Sequence, residues 1–227
     1  MSLRNPGLAN KPIVDLRALF ERMCTDTTFI PVFHTAQKIE TDLTQLLKYR
    51  AILSLRQLGL DSIEEEPNPA RAATRIAGDD DYVFLSGIGP VSNWPLPGFV
   101  FNATDILKIK GVKIRARDLG AAYYAFIYDY AIAHRYTNEP GYGFLYGKIP
   151  PAHLRTIKSG LREIAEKADV KKAAARKILK EAKHAVCEGG EFTGSEVYRA
   201  AKFMEIMVPK RIPLKYVEAY FNGQGLR

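Results

Sequence analysis

The chain has 227 residues, 47% of them hydrophobic and 26% charged, a composition of one folded globular domain rather than of a disordered chain. No stretch approaches the ~18 consecutive apolar residues of a membrane span, and the N-terminus MSLRNPGLANKPIVDL lacks the apolar core of a secretory signal, so a cytoplasmic protein with no membrane partner is expected. The formal charge of +8 favours a polyanionic partner, nucleic acid foremost.

In chain order, Ile13, Leu16, Leu19, Phe20 and Met23 fall at helical spacing, which predicts a helix over 13–24. Thr27 to Phe33 is β-rich, and Pro31 within it suits a strand start or an edge strand. Ile39, Leu43, Leu46 and Leu47 predict a second helix from about Ala36 to Arg50, with Gly59 as a stop. A short helix over Pro69–Ala77 precedes the strand YVFLS (82–86). The Gly- and Pro-rich loop 87–98 leads into a further strand, FVFNA. A short helix follows, with Thr104 as its cap and Gly111 at its end, and then VKIRARDL, which alternates as a half-buried strand does. The segment GAAYYAFIYDYAIAHRY is apolar nearly all round and reads as a buried helix. Two basic helices, near 152–167 and 170–186, precede a C-terminal run expected as strand, strand, turn and strand.

This order lacks a regular βαβ alternation, so the fold class is α+β rather than doubly wound. A single domain over 1–227 is expected. Its sheet-containing core occupies 27–151 and 190–222, with the basic helices 152–186 as an insertion. Cys24 and Cys187 belong to no CxxC pair and read as reduced thiols. The four histidines show no HExxH spacing, and no metal site is expected.

Four features carry potential chemistry. Glu205 interrupts the apolar C-terminal strand KFMEIMV, where a carboxylate is costly unless paired or set in a cleft. His34 ends an early strand. Ser86 ends a second strand, followed by Gly87 and Gly89, at which a backbone approaches a ligand closely; the spacing matches neither a dinucleotide-binding fingerprint nor a P-loop. Finally, residues 152–185 hold ten Lys or Arg against four acids, +6 of the +8 total. Arg155, Lys158, Arg162, Lys171, Lys172, Arg176, Lys177 and Lys180 are candidate phosphate contacts.

The strand ending in His34-Thr35, the YVFLS strand, the VFNATDILKIKG strand–helix and the late EIMVPKRIPLKYVEAYF together resemble the ADP-ribosyltransferase superfamily, in particular its DNA-modifying, DarT-like toxin branch. The resemblance spans about half of the chain. It implies a small mixed or antiparallel split sheet with surrounding helices, and NAD as a substrate without a metal. It also implies ADP-ribosyl transfer to an acceptor such as nucleic acid. By that resemblance Glu205 is the catalytic carboxylate, with Glu191 and Glu196 as competitors. His34, Thr35, Ser86, Tyr49 and Arg50 become NAD contacts, with Arg56, Arg71 and Arg75 as further candidates for the pyrophosphate. The alternative is a non-catalytic nucleic-acid-binding protein that uses the basic helices and stacks bases on Trp94, Tyr142 and Tyr146.

Overall fold

The computed structural model of the protein describes residues 11–35, 48–59, 69–88, 98–136, 150–189 and 195–221. These form nine strands, β1 (Ile13–Val14), β2 (Pro31–Thr35), β3 (Ala51–Leu53), β4 (Tyr82–Ser86), β5 (Gly98–Asn102), β6 (Lys113–Arg115), β7 (Glu205–Pro209), β8 (Arg211–Pro213) and β9 (Val217–Phe221). Seven helices accompany them: α1 (Leu16–Thr25), α2 (Pro69–Ala77), α3 (Ala103–Ile106), α4 (Gly120–Ala133), α5 (Pro151–Ala168), α6 (Lys172–Gly189) and α7 (Glu196–Lys202). The fold is α+β, built on a mostly antiparallel sheet.

Seven strands make that sheet, in the order β1-β9-β5-β2-β4-β7-β6, and β3 pairs with β8 in a separate two-stranded sheet. Only β1 and β9 run parallel. The seam between β2 and β4 is thin. Where β2 pairs with β5 over five residues, it meets β4 through the single pair Phe33↔Ser86. Pro31 opens β2, where its missing N–H removes nothing from the strand interior. The strand itself lies in the middle of the sheet rather than at an edge.

Two apolar cores flank these strands. The larger joins Leu19 and Met23 of α1 and Leu179, Ala182 and Val186 of α6 to Val32, Leu85, Val100, Ile114, Ile206 and Val208 of the sheet. The smaller joins Ala73 and Ile76 of α2, Tyr123 and Ile127 of α4, and Ile157 and Leu161 of α5. The two basic helices therefore bury their apolar faces in different cores. Their connection runs along the β6 edge, where Ala116 N donates to Ala168 O and Val170 N to Ile114 O.

Several local expectations are corrected. Ile13 belongs to β1 and is exposed, and α1 begins three residues later because the Asp15 carboxylate accepts from Ala18 N at 2.8 Å. Asn102, not Thr104, caps α3, its side chain accepting from Thr104 N. Residues 51–53 are a strand that the helical pattern around them masks. Residues 196–202, expected as strand, are a helix whose Ser195 hydroxyl accepts from Tyr198 N. Cys24 and Cys187, expected as free thiols, are joined in a disulfide between α1 and α6. The predicted helix over 36–50 lies, to residue 47, outside the described residues, as do Trp94, Tyr142, Tyr146, Gly89 and Glu191.

Gly87 approaches the backbone of α7 rather than a ligand. A Cβ there stands 1.7 Å from the Ala201 carbonyl oxygen, and Gly87 N donates to Met204 O at 2.9 Å. Because the obstacle is backbone, it cannot step aside as a side chain does. Gly87→Ala is expected to cost about 3 kcal/mol or more, the upper end of overpacking, read as a lowered denaturant midpoint.

Candidate active site

Directly opposed residues of antiparallel strands share a face. The register therefore lays Phe33, Ser86, Glu205 and Arg115 in one row across β2, β4, β7 and β6. The row ends at a pocket of about 230 Å³ lined by Phe33, His34, Phe84, Leu85, Ser86, Asp118, Phe203, Met204 and Glu205. His34, Ser86 and Glu205, far apart in sequence, thus share one cavity at the thin seam of the sheet.

Each polar group there has a defined setting. His34 Nδ1 lies 2.9 Å from the Phe84 carbonyl oxygen. A carbonyl only accepts, so Nδ1 carries a proton and donates it to this contact. Ser86 Oγ donates to Phe33 O at 3.3 Å, across the same seam. Asp118 accepts from Gly120 N at 2.8 Å and so sits at the start of α4, where the helix end favours negative charge.

Glu205 rests on a buried ionic network. Arg115 is 3% exposed, donates to Asp79 Oδ2 at 2.8 Å, and reaches Glu205 Oε2 only at 3.6 Å, too long for a hydrogen bond. Tyr123 donates its hydroxyl to the same Asp79 oxygen at 2.9 Å, and the Arg115 guanidinium lies 5.7 Å from its ring centre. Glu205 Oε2 is buried without a hydrogen-bond partner. Burial pushes the Glu205 carboxyl up to about 8, the Asp118 charge adds to the rise, and Arg115 opposes it. Burial likewise drives the Tyr123 hydroxyl upward.

The other sequence candidates are not among the described residues that line the pocket. Thr35 closes β2, its backbone opposite Gly98. Tyr49 is exposed beside Lys48, and Arg50 has φ +53° and accepts from Leu214 N near β3 and β8; neither is among the described residues lining the pocket. Arg56 is paired with Asp80 at 2.7 Å, and Arg75 is buried. Glu196 is exposed in the first turn of α7 and is not among the described residues lining the pocket; with Glu191 outside the described residues, Glu205 is the one of the three glutamates that the described pocket contains.

Of the basic residues, Arg155, Lys158, Arg162, Lys171, Arg176, Lys177 and Lys180 are exposed. Lys172 is committed internally, donating to Leu107 O at 3.1 Å and Ile109 O at 2.9 Å. No group of three or more His, Cys, Asp or Glu among the described residues is arranged to hold a metal, and no described helix is long and apolar enough to cross a membrane.

The residues that sequence reasoning missed are Asp79, Arg115, Asp118 and Tyr123. None of them breaks a local pattern: Arg115 itself falls on the polar side of the alternating VKIRARDL. No family model, curated protein or solved structure matches the chain.

Proposed function

We propose that the protein transfers ADP-ribose from NAD, with nucleic acid as the acceptor class. The observation that carries this reading is the convergence of His34, Ser86 and Glu205 on one pocket at the seam between β2 and β4. The pocket chemistry favours the same substrate. Two carboxylates, Asp118 and Glu205, and three rings, Phe33, Phe84 and Phe203, line it, and such a lining suits a flat cationic ring like the pyridinium of NAD.

In this reading the bond between ribose C1′ and the nicotinamide nitrogen breaks and nicotinamide leaves with the electron pair. The ribose is left with oxocarbenium character. The Glu205 carboxylate stabilises that charge and takes the proton of the acceptor group as the acceptor's lone pair forms the new bond to C1′. His34 and Ser86 line the same cleft as polar positioning groups. Arg155, Lys158, Arg162, Arg176, Lys177 and Lys180 of the basic helices and Lys171 of their connection, all exposed, supply phosphate contacts for the acceptor.

Thermal melting with and without millimolar NAD tests the first requirement. A ligand that binds only the folded state stabilises it by about 2.7 kcal/mol at a hundredfold excess over Kd, so the midpoint rises. Labelled NAD then reports transfer to single- or double-stranded nucleic acid. An unmoved midpoint in folded protein overturns the NAD reading. It would leave a salt-sensitive nucleic-acid affinity, unaffected by Glu205→Gln, as the mark of a non-catalytic binding protein.

A further inference from the structure

Beneath the pocket a single buried cation serves several carboxylates. Arg115 is within salt-bridge reach of Asp79 at 2.8 Å, Glu205 at 3.6 Å and Asp169 at 3.8 Å. Asp169 is half exposed and shares its charge with water, so the contest inside the protein is between Asp79 and Glu205. Asp79 wins it by geometry: it holds the short contact, and the Tyr123 hydroxyl pins its oxygen from α4. Glu205 is left 12% exposed with Oε2 unbonded.

We propose that Asp79 and Arg115 are positioning residues for Glu205: by drawing the guanidinium to itself, Asp79 leaves the pocket carboxyl under-compensated and turned to whatever cation enters. Glu205's part in transfer rests on the function proposed above; its partners here do not. Each described group that acts on it or lines its pocket with charge or a titratable proton has a place in the balance. Asp118, before α4, repels its negative form, as Asp79, between α2 and β4, does more weakly. Arg115 on β6 attracts it. Tyr123 on α4 acts on Asp79, and His34 of β2 lines the pocket across from it.

The arrangement has a functional logic. A glutamate in a full salt bridge is already neutralised and gains little from a cationic ring or an oxocarbenium-like centre. An under-compensated one is ionised by the arriving positive charge and bonds to it strongly, so stabilisation is reserved for the charged state. The raised proton affinity of Glu205 agrees with this geometry.

The test is a carbon-13 NMR titration of glutamate side-chain carboxyls, with the Glu205 signal assigned by its loss in Glu205→Gln. Asp79→Asn keeps the shape and an oxygen for Tyr123 and Arg115, but removes the competing charge. It is expected to lower the Glu205 midpoint by about 1 pH unit or more, the scale of a carboxylate gaining an arginine. Arg115→Lys, which puts a single donor on Asp79 in place of the planar fork, moves the midpoint the other way. It also keeps the experiment decisive if Asp79→Asn does not fold. An unmoved midpoint in either folded variant, or a wild-type midpoint in the ordinary glutamate range, overturns the proposal. NAD takes no part in the titration, so its outcome is separate from that of the NAD-binding experiment.

Discussion

Glu205→Gln is expected to reduce ADP-ribosyl transfer by about 10³-fold, the loss typical of removing one preorganised electrostatic group from a reaction centre, while the protein folds as well as before or better. Glutamine keeps the shape but carries no charge to offset an oxocarbenium-like centre and no base for the acceptor. The stability half of the prediction follows from linkage. The Glu205 carboxyl is raised from an ordinary 4.5 to about 8 in the folded state. Between these values the folded protein holds a proton that the unfolded chain has released. Stability from this group is therefore complete below about 4.5 and declines as pH rises toward 8. The full decline is on the order of 5 kcal/mol as an upper figure. Denaturant melts across this range separate the two proteins: the wild type loses stability with rising pH, and Glu205→Gln lacks that component. Wild-type rates of transfer in the variant would remove Glu205 from the chemistry. A variant whose stability follows the same pH curve as the wild type would remove the buried carboxyl from the linkage.

How much of this was legible in the sequence depended on whether a residue's setting is local. Glu205 stood out because an acid inside KFMEIMV breaks a run that otherwise demands burial. The 82–86 and 98–102 strands and the 69–77 helix emerge from short patterns that their own neighbours satisfy. Arg115 did not emerge. In VKIRARDL the alternation assigns Lys113, Arg115 and Arg117 to one exposed face, yet Arg115 alone is buried. Its burial is decided by Asp79, 36 positions earlier, and by Tyr123 on a helix not yet formed. Tyr49 and Arg50, assigned to NAD by the resemblance alone, are not among the described residues lining the pocket; the backbone turns at Arg50, with φ +53°, into β3, which pairs with β8. The seven-residue α7 was hidden because Val197 and Tyr198 have strand propensity; the Ser195 cap and the tight fit of Gly87 against Ala201 hold the helix in place. The two basic helices look continuous in composition, but the extended residues 169–171 along β6 direct them to different cores.

Severing the Cys24–Cys187 disulfide is expected to lower stability by about 2–5 kcal/mol without unfolding the protein. The argument lies in the unfolded chain. The bridged residues are 163 positions apart, and closing so long a loop in a disordered ensemble is entropically expensive, so the cross-link destabilises the unfolded state most where the loop is longest. The folded state has other ties at the same place. Lys183, one turn before Cys187 on α6, donates to the carbonyls of Asp26 and Phe29, and Leu179, Ala182 and Val186 remain packed in the larger core. For a chain of this size the loss corresponds to a melting midpoint lower by roughly 5–20 °C. Matched melts in oxidising and reducing buffer measure it, and Cys24→Ser must start at the reduced midpoint and ignore reductant. A wild type whose midpoint does not respond to reductant, with thiols shown by mass to have been released, would mean that the bridge contributes nothing. The same ties hold Phe29, two residues before β2, so reduction is expected to leave His34, the fourth residue of that strand, against the Phe84 carbonyl.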